Sequence, residues 1–291
     1  MGVSSSTGYW MAMNPSMIEC PICRAHLRMD ESGHSLRCEG TGKSHCFDLA
    51  SGGYVNLISG RASGGDGKEA VRARTAFLEK DYYAPIADAV IDVLRDVGGV
   101  TKASTVVDAG CGDGYYLNRA LDRLGCCGLG FDLSKFAVDH AAKSARRRGL
   151  AERSFYAVAS VFDLPIADGC ADAVVNLFAP CTEREYCRVL KPGGILVVVG
   201  SGEDHLYELK QAVYDEVYRN DVRADLPIDL PLIAQRKVEF TVSLTQAEDI
   251  ASLFSMTPYY YRTSAEGFRR LHALTELTTR AQADIYIYRK P

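Results

Sequence analysis

The stretch VVDAGCGDGYY, Val106–Tyr116, passes from a β-branched apolar run into three glycines at alternate positions, Gly110, Gly112 and Gly114, and then into residues able to start a helix. A strand that turns sharply into a helix across glycines is a ligand-binding turn, because a backbone without Cβ atoms can bend tightly and approach a bound molecule closely. The dinucleotide fingerprint G-x-G-x-x-G would need its third glycine at Tyr115, so a nicotinamide cofactor is disfavoured. Asp108 closes the strand and Asp113 sits in the turn, where their carboxylates or oriented amides can face a cationic group. Asp132 ends the next apolar run, 22 residues after Gly110, where an acid can accept both hydroxyls of a ribose.

Working outward, STVVDAG, CCGLGFD, RSFYAVAS, ADAVVNLFAP and GGILVVVGS are short β-rich runs separated by stretches able to form helices. That alternation predicts an α/β fold, a doubly wound and mostly parallel sheet covered on both faces. Ahead of it, EAVRARTAFLEK and YAPIADAVIDVLRDV repeat apolar residues at three and four and predict two amphipathic helices. Behind it the pattern predicts a long helix over 204–219, a strand at KVEFTVSL, a helix ending near Met256, another over 264–276, and a last strand at ADIYIYRK.

The front of the chain has a different chemistry. Residues 1–16 are polar and aperiodic and read as a disordered leader; 17–60 form a compact cysteine-bearing unit ending in the β-like GGYVNLIS; 61–68, within SGRASGGDGK, read as a flexible linker and hinge. The remainder, 69–291, is the main domain. CPIC places Cys20 and Cys23 at the spacing of a metal knuckle, and CEGTGKSHCFD supplies Cys38, His45 and Cys46. A unit this small lacks the core to fold without a staple, so a tetrahedral zinc ion is expected. Adjacent positions on a strand point to opposite faces, so His45 and Cys46 cannot both join Cys20, Cys23 and Cys38. Four protein ligands leave no place for water, which makes the zinc structural.

Composition adds limits. The chain is 47% hydrophobic with a net charge of −4, enough for a sizeable core and without the basic excess usual in nucleic-acid binders. Lys143, Arg146, Arg147 and Arg148 concentrate charge locally and read as a solvated helix end. No run suits a membrane span or a signal peptide, so a cytoplasmic location is expected.

DAGCGDG, FDLS, LPIADGCADAVV and RVLKPGG, in that order, resemble the class I S-adenosylmethionine (SAM) dependent methyltransferases. Many relatives carry an acid four residues before the Leu-Pro to reach adenine; Ser160 stands there, leaving adenine to backbone and water. Across the whole chain, CPIC, HCFDLA, GYVNL, FLEKDYYAPI, NLFAPC, DHLYELK and LFSMTP resemble the bacterial 23S rRNA (guanine-N1)-methyltransferase family. The resemblance implies SAM contacts at Tyr83, Gly112, Asp113 and His205, and a fourth zinc ligand at His45. It also implies a 23S rRNA hairpin gripped between zinc unit and catalytic domain, methylation at guanine N1, and a homodimer. With the loop reading, the expected cofactor set is Tyr83, Asp108, Gly110, Gly112, Asp113, Gly114, Asp132 and His205. Asn176 and Phe178 are candidates for holding the target base, each equally a packing residue, and Cys181 reads as structural. Two rival functions stand beside this one: a small-molecule SAM methyltransferase, which leaves the zinc unit unexplained, and a non-enzymatic RNA-binding module, which leaves the intact glycine loop unexplained.

Overall fold

The computed structural model describes residues 15–40, 42, 44–58, 64–222 and 229–291. The expected leader, but for its last two residues, and residues 61–63 of the expected linker lie outside them. In chain order the elements are β1 (Leu27–Met29), β2 (Ser35–Cys38), β3 (Cys46–Asp48), β4 (Val55–Asn56), α1 (Lys68–Leu78), α2 (Ala84–Asp96), β5 (Thr105–Ala109), α3 (Tyr115–Leu124), β6 (Cys127–Asp132) and α4 (Lys135–Arg147). They continue as β7 (Ser154–Val158), β8 (Ala171–Leu177), α5 (Glu183–Val189), β9 (Leu190–Ser201), α6 (Tyr207–Val213), β10 (Leu232–Leu244), α7 (Ala247–Ser255), α8 (Ala265–Ala273) and β11 (Leu277–Arg289).

The five runs around the glycine turn are β5 to β9, and they pair in parallel. β10 and β11 add an antiparallel end, so the large sheet runs β10-β11-β9-β8-β5-β6-β7-β4. The class I methyltransferase fold, doubly wound and mostly parallel, is thus present. β1, β2 and β3 form a separate antiparallel sheet. The charged run Lys143–Arg148 is the end of α4, and Lys143, Arg147 and Arg148 pair with Asp139, Glu79 and Asp122.

Three findings differ from the sequence reading. The helix expected over 204–219 is only α6: Leu206 enters it in the left-handed region (φ 57°) and Tyr214 leaves it extended. Asn220 folds back to donate to the carbonyls of Gly202 and His205, a tertiary tie that local periodicity does not encode. Second, the GYVNL strand, at the end of the zinc unit, also joins the large sheet: Val55 bridges Leu49 within the unit, while Val55 and Asn56 pair with Ala157 and Val158, so β4 is an edge of that sheet. Third, the two cores sit on opposite faces of that sheet. Val106, Tyr156 and Val197 point into one, with α2, α3 and α4; Val107, Phe155 and Val198 point into the other, where Met17, Ile18, Leu27 and Leu36 meet them.

That second face explains the joint. The connection from β7 to β8 contains no helix, so α5, through Tyr186 and Val189, shares that face of the sheet with the zinc unit, which covers the part a β7–β8 helix would cover. Ile18 bridges Ile166, the Glu19 amide donates to the Pro165 carbonyl, and the Ala167 amide donates to that of Met17. At the other end of the unit Gly65 lies so close to Ser134 that a Cβ on it would stand 2.7 Å from the Ser134 nitrogen. Gly65, within the stretch expected to hinge, therefore lies against the chain at Ser134, while Gly67 stands in open space.

Candidate functional site

The glycine turn follows β5 directly. Gly110, Gly112 and Gly114 have φ of 93°, 52° and 79°, conformations costly for any residue with a Cβ. At Gly110 the added atom would also strike Ala179, and at Gly114 it would strike Ala141. Beside Gly112, by contrast, the nearest atom is Arg74 Nη1 at 3.8 Å. The loop is therefore closed behind and open in front.

Three acids line it. Asp108 is 1% exposed and neither carboxylate oxygen has a hydrogen-bond partner. Burial and the neighbouring Asp132 and Asp113 push its carboxyl up to about 8. A buried carboxylate without a donor is costly unless a cation arrives or a proton stays. Asp132, at the end of β6, accepts from the amides of Gly112 (3.0 Å) and Ser134 (2.8 Å), and burial raises it too. Asp113 turns away from the open side: it accepts from the Thr75 hydroxyl (2.9 Å) and the Tyr115 amide (3.3 Å), which fastens α1 to the loop.

Tyr83 and His205 meet although 122 residues apart, with Tyr83 Oη 3.3 Å from His205 Nε2. Tyr83 precedes α2 and His205 follows β9. The Gln282 amide donates to His205 Nδ1 (3.1 Å), so the ring proton sits on Nε2 and that nitrogen is a donor. Burial lowers His205 to about 4, which keeps the ring neutral. Phe178, just past β8, lies nearly parallel to the His205 ring (21°, centroids 6.3 Å apart), is 42% exposed, and has φ of 53°. A bulky residue held in the left-handed region marks strain that functional sites tend to store.

Asn176 is fully buried; its Nδ2 lies 2.9 to 3.0 Å from the carbonyls of Ala109 and Pro180 and the Tyr186 hydroxyl, which ties down the loop after β8, while its Oδ1 has no hydrogen-bond partner. Ser160 spends its hydroxyl on the Phe162 amide.

In the small sheet, Cys20, Cys23, Cys38 and His45 bring one ligand atom each within 4.8 Å of one another. His45 Nδ1 stands 3.5 Å from both Cys20 Sγ and Cys38 Sγ. A tetrahedral zinc with sulfur at about 2.3 Å and nitrogen at about 2.0 Å holds such atoms about 3.5 Å apart. The His45 amide donates to Cys38 Sγ and holds that thiol down to about 6, which favours the thiolate a metal needs. Cys46 is exposed and outside the cluster. Thr75, Arg74 and Ser134 had not been expected near the site. Their only signal in the sequence is helical spacing on α1 and a polar residue after FDL, neither of which says what it faces.

The comparisons agree with this geometry. A family model described as "RlmA, N-terminal" matches residues 18–60, and one described as "Methyltransferase domain" matches 100–242. A Streptomyces fradiae relative, 23S rRNA (guanine(748)-N(1))-methyltransferase, is 40% identical over 67% of this chain and 67% of its own. A Bacillus subtilis (strain 168) protein, provisionally named a 23S rRNA (guanine-N(1)-)-methyltransferase, is 34% identical over 69% of this chain and 70% of its own. The donor-starved Asp108, the open glycine cradle and the four-ligand cluster fit the two groups this architecture takes, SAM and a structural zinc ion. With both family models in sequence and relatives of this identity spanning two thirds of their length, the chain belongs to the 23S rRNA (guanine-N1)-methyltransferase family.

Proposed function

We propose that the protein transfers the methyl group of SAM to N1 of a guanine in a hairpin loop of 23S rRNA. The observation that carries this is an RlmA-type zinc unit built into the core of a SAM-binding sheet. A small-molecule methyltransferase has no use for that unit, and a binding module has no use for the cradle beside Gly112.

SAM supplies an electrophilic methyl group on sulfur. In our reading Gly110, Gly112 and Gly114 hold its amino-acid portion, Asp108 and Asp113 set the negative potential there, Asp132 accepts from the ribose, and Tyr83 with His205 walls the side toward the substrate. Phe178 offers its exposed ring to the target guanine, whose unstacking costs less in a loop than in a duplex. Once N1 took the methyl group, its proton would pass to solvent, the chain's own residues serving to hold the guanine edge in line with the methyl group. His205 donates from Nε2 in this tautomer, so its part is to position and not to remove that proton. Cys20, Cys23, Cys38 and His45 hold the zinc, the 17–60 unit contributes RNA contacts that an acidic chain otherwise lacks, and the enzyme works in the cytoplasm as a homodimer.

The test gives the protein tritiated SAM with total rRNA from a strain lacking the enzyme and, separately, a metabolite extract. Label should enter 23S rRNA, and reverse transcription should stop at one loop guanine, because a methyl group on N1 blocks the pairing edge. Label in the metabolite fraction alone would overturn the assignment. Zinc content decides the ligand set: His45→Ala should lose the metal and Cys46→Ala should keep it.

A further inference from the structure

The cofactor's amino-acid portion carries a carboxylate as well as its cationic ammonium and sulfonium. Asp108, Asp113 and Asp132 suit the cations, but a fourth carboxylate placed among three acids meets like charge and needs a counter-ion. His205 cannot supply one, being neutral. Arg74 can. It leaves α1 beside Thr75, whose hydroxyl fastens that helix to Asp113, and its Nη1 comes within 3.8 Å of where a Cβ on Gly112 would stand. Its charge lowers both Asp113 and Asp132 against the effect of burial. Its side chain remains about a quarter exposed (27%) and faces the open side of the loop.

What Arg74 holds in the structure is itself a carboxylate: Asp66 Oδ2, at 2.5 Å. Asp66 is anchored next to the second cofactor-facing strand end, its carbonyl accepting from the Ser134 hydroxyl at 2.6 Å. It lies in the segment that joins the zinc unit to α1. We propose that Arg74 is the receptor for the cofactor's α-carboxylate and that Asp66 is the internal carboxylate it gives up when the cofactor binds. A guanidinium fork can bind a carboxylate through two hydrogen bonds, and among the described residues Arg74 is the guanidinium beside Gly112. The exchange also links cofactor loading to the segment leading back to the zinc unit.

The experiment measures dissociation constants by calorimetry, without RNA, for SAM and for decarboxylated SAM, which keeps the sulfonium and the amine. Arg74→Met should weaken SAM by about ten- to a hundredfold, the range for a lost charge-assisted bond, while changing decarboxylated SAM less than about threefold. Arg74→Lys should recover part of the loss for SAM alone. Asp66→Asn, which removes the competitor, should tighten SAM severalfold and leave decarboxylated SAM unchanged. Equal losses for both ligands in Arg74→Met would make the residue merely structural and overturn the proposal. A weakening of SAM in Asp66→Asn would overturn the exchange. Because no RNA is present, these outcomes are independent of whether the rRNA assignment stands.

Discussion

Asp132 spends one oxygen on the Gly112 amide and the other on the Ser134 amide before any ligand arrives. The carboxylate is thereby fixed at the lip of the loop with lone pairs left for a ribose. Asp132→Ala removes that acceptor and leaves two amides unpaired, each costing about 1–3 kcal/mol where buried. SAM binding should weaken at least tenfold by calorimetry, and an unchanged constant would remove Asp132 from the site. Asp108 behaves differently because it has no partner at all. Its folded value, about 8, lies far above the ordinary value near 4. The protonated carboxyl therefore contributes stability that is complete below about pH 4 and is lost as pH rises through 8. The protein without SAM should lose stability as pH rises across that window. Asp108→Asn should flatten that part of the slope in thermal unfolding, and saturating SAM, by bringing cations, should flatten it too. A wild-type melting temperature that rises from pH 5 to pH 8 would contradict the account.

At the scale of elements, β4 carries the clearest consequence. Two residues of strand seem a minor edge, yet Val55 is fully buried and Leu57 is 2% exposed, its amide bonded to the Val158 carbonyl. They sit in sequence with the zinc unit and in space with the catalytic sheet. Leu57→Ala should destabilise the catalytic domain by about 2–5 kcal/mol, as core truncations do, read as a lower urea midpoint followed by tryptophan-independent probes such as far-UV circular dichroism. A chain begun at Gly67 would lack both residues, so retention of full stability and SAM affinity by that fragment would argue against the shared core. The short α6 shows a related effect. Its sequence could continue as a helix, but the tie from Asn220 to the carbonyls of Gly202 and His205 stops it where the site needs His205 held.

For the whole molecule, the zinc unit takes the place of a helix. Because no helix connects β7 to β8 among the described residues, Met17, Ile18, Leu27 and Leu36 join Tyr186 and Val189 of α5 in covering one face of the sheet. Zinc that folds this unit should then stabilise the sheet as well, since binding to the native state alone adds directly to its stability. Removing the metal with a chelator should lower a single cooperative transition measured by calorimetry. Two separate transitions, with the second unchanged by chelation, would show instead that the unit folds independently.

The sequence by itself determined the parts whose signal is local. Alternating apolar runs and glycines that tolerate positive φ marked β5 to β9 and the cofactor turn, and the Cys-x-x-Cys pair with Cys38 marked the metal cluster, because spacing along a chain sets which atoms can converge; His45 was separated from its neighbour Cys46 by family resemblance, and the fold places it in the cluster. The acids at strand ends were legible for the same reason. Only the tertiary structure decided that GYVNL also pairs with the large sheet, that the zinc unit stands in for a helix on one face, that Asn176 ties down the loop after β8, and that Arg74 faces Gly112. Each of those depends on contacts between residues far apart in sequence, where burial and hydrogen-bond geometry select among partners that local pattern leaves equivalent.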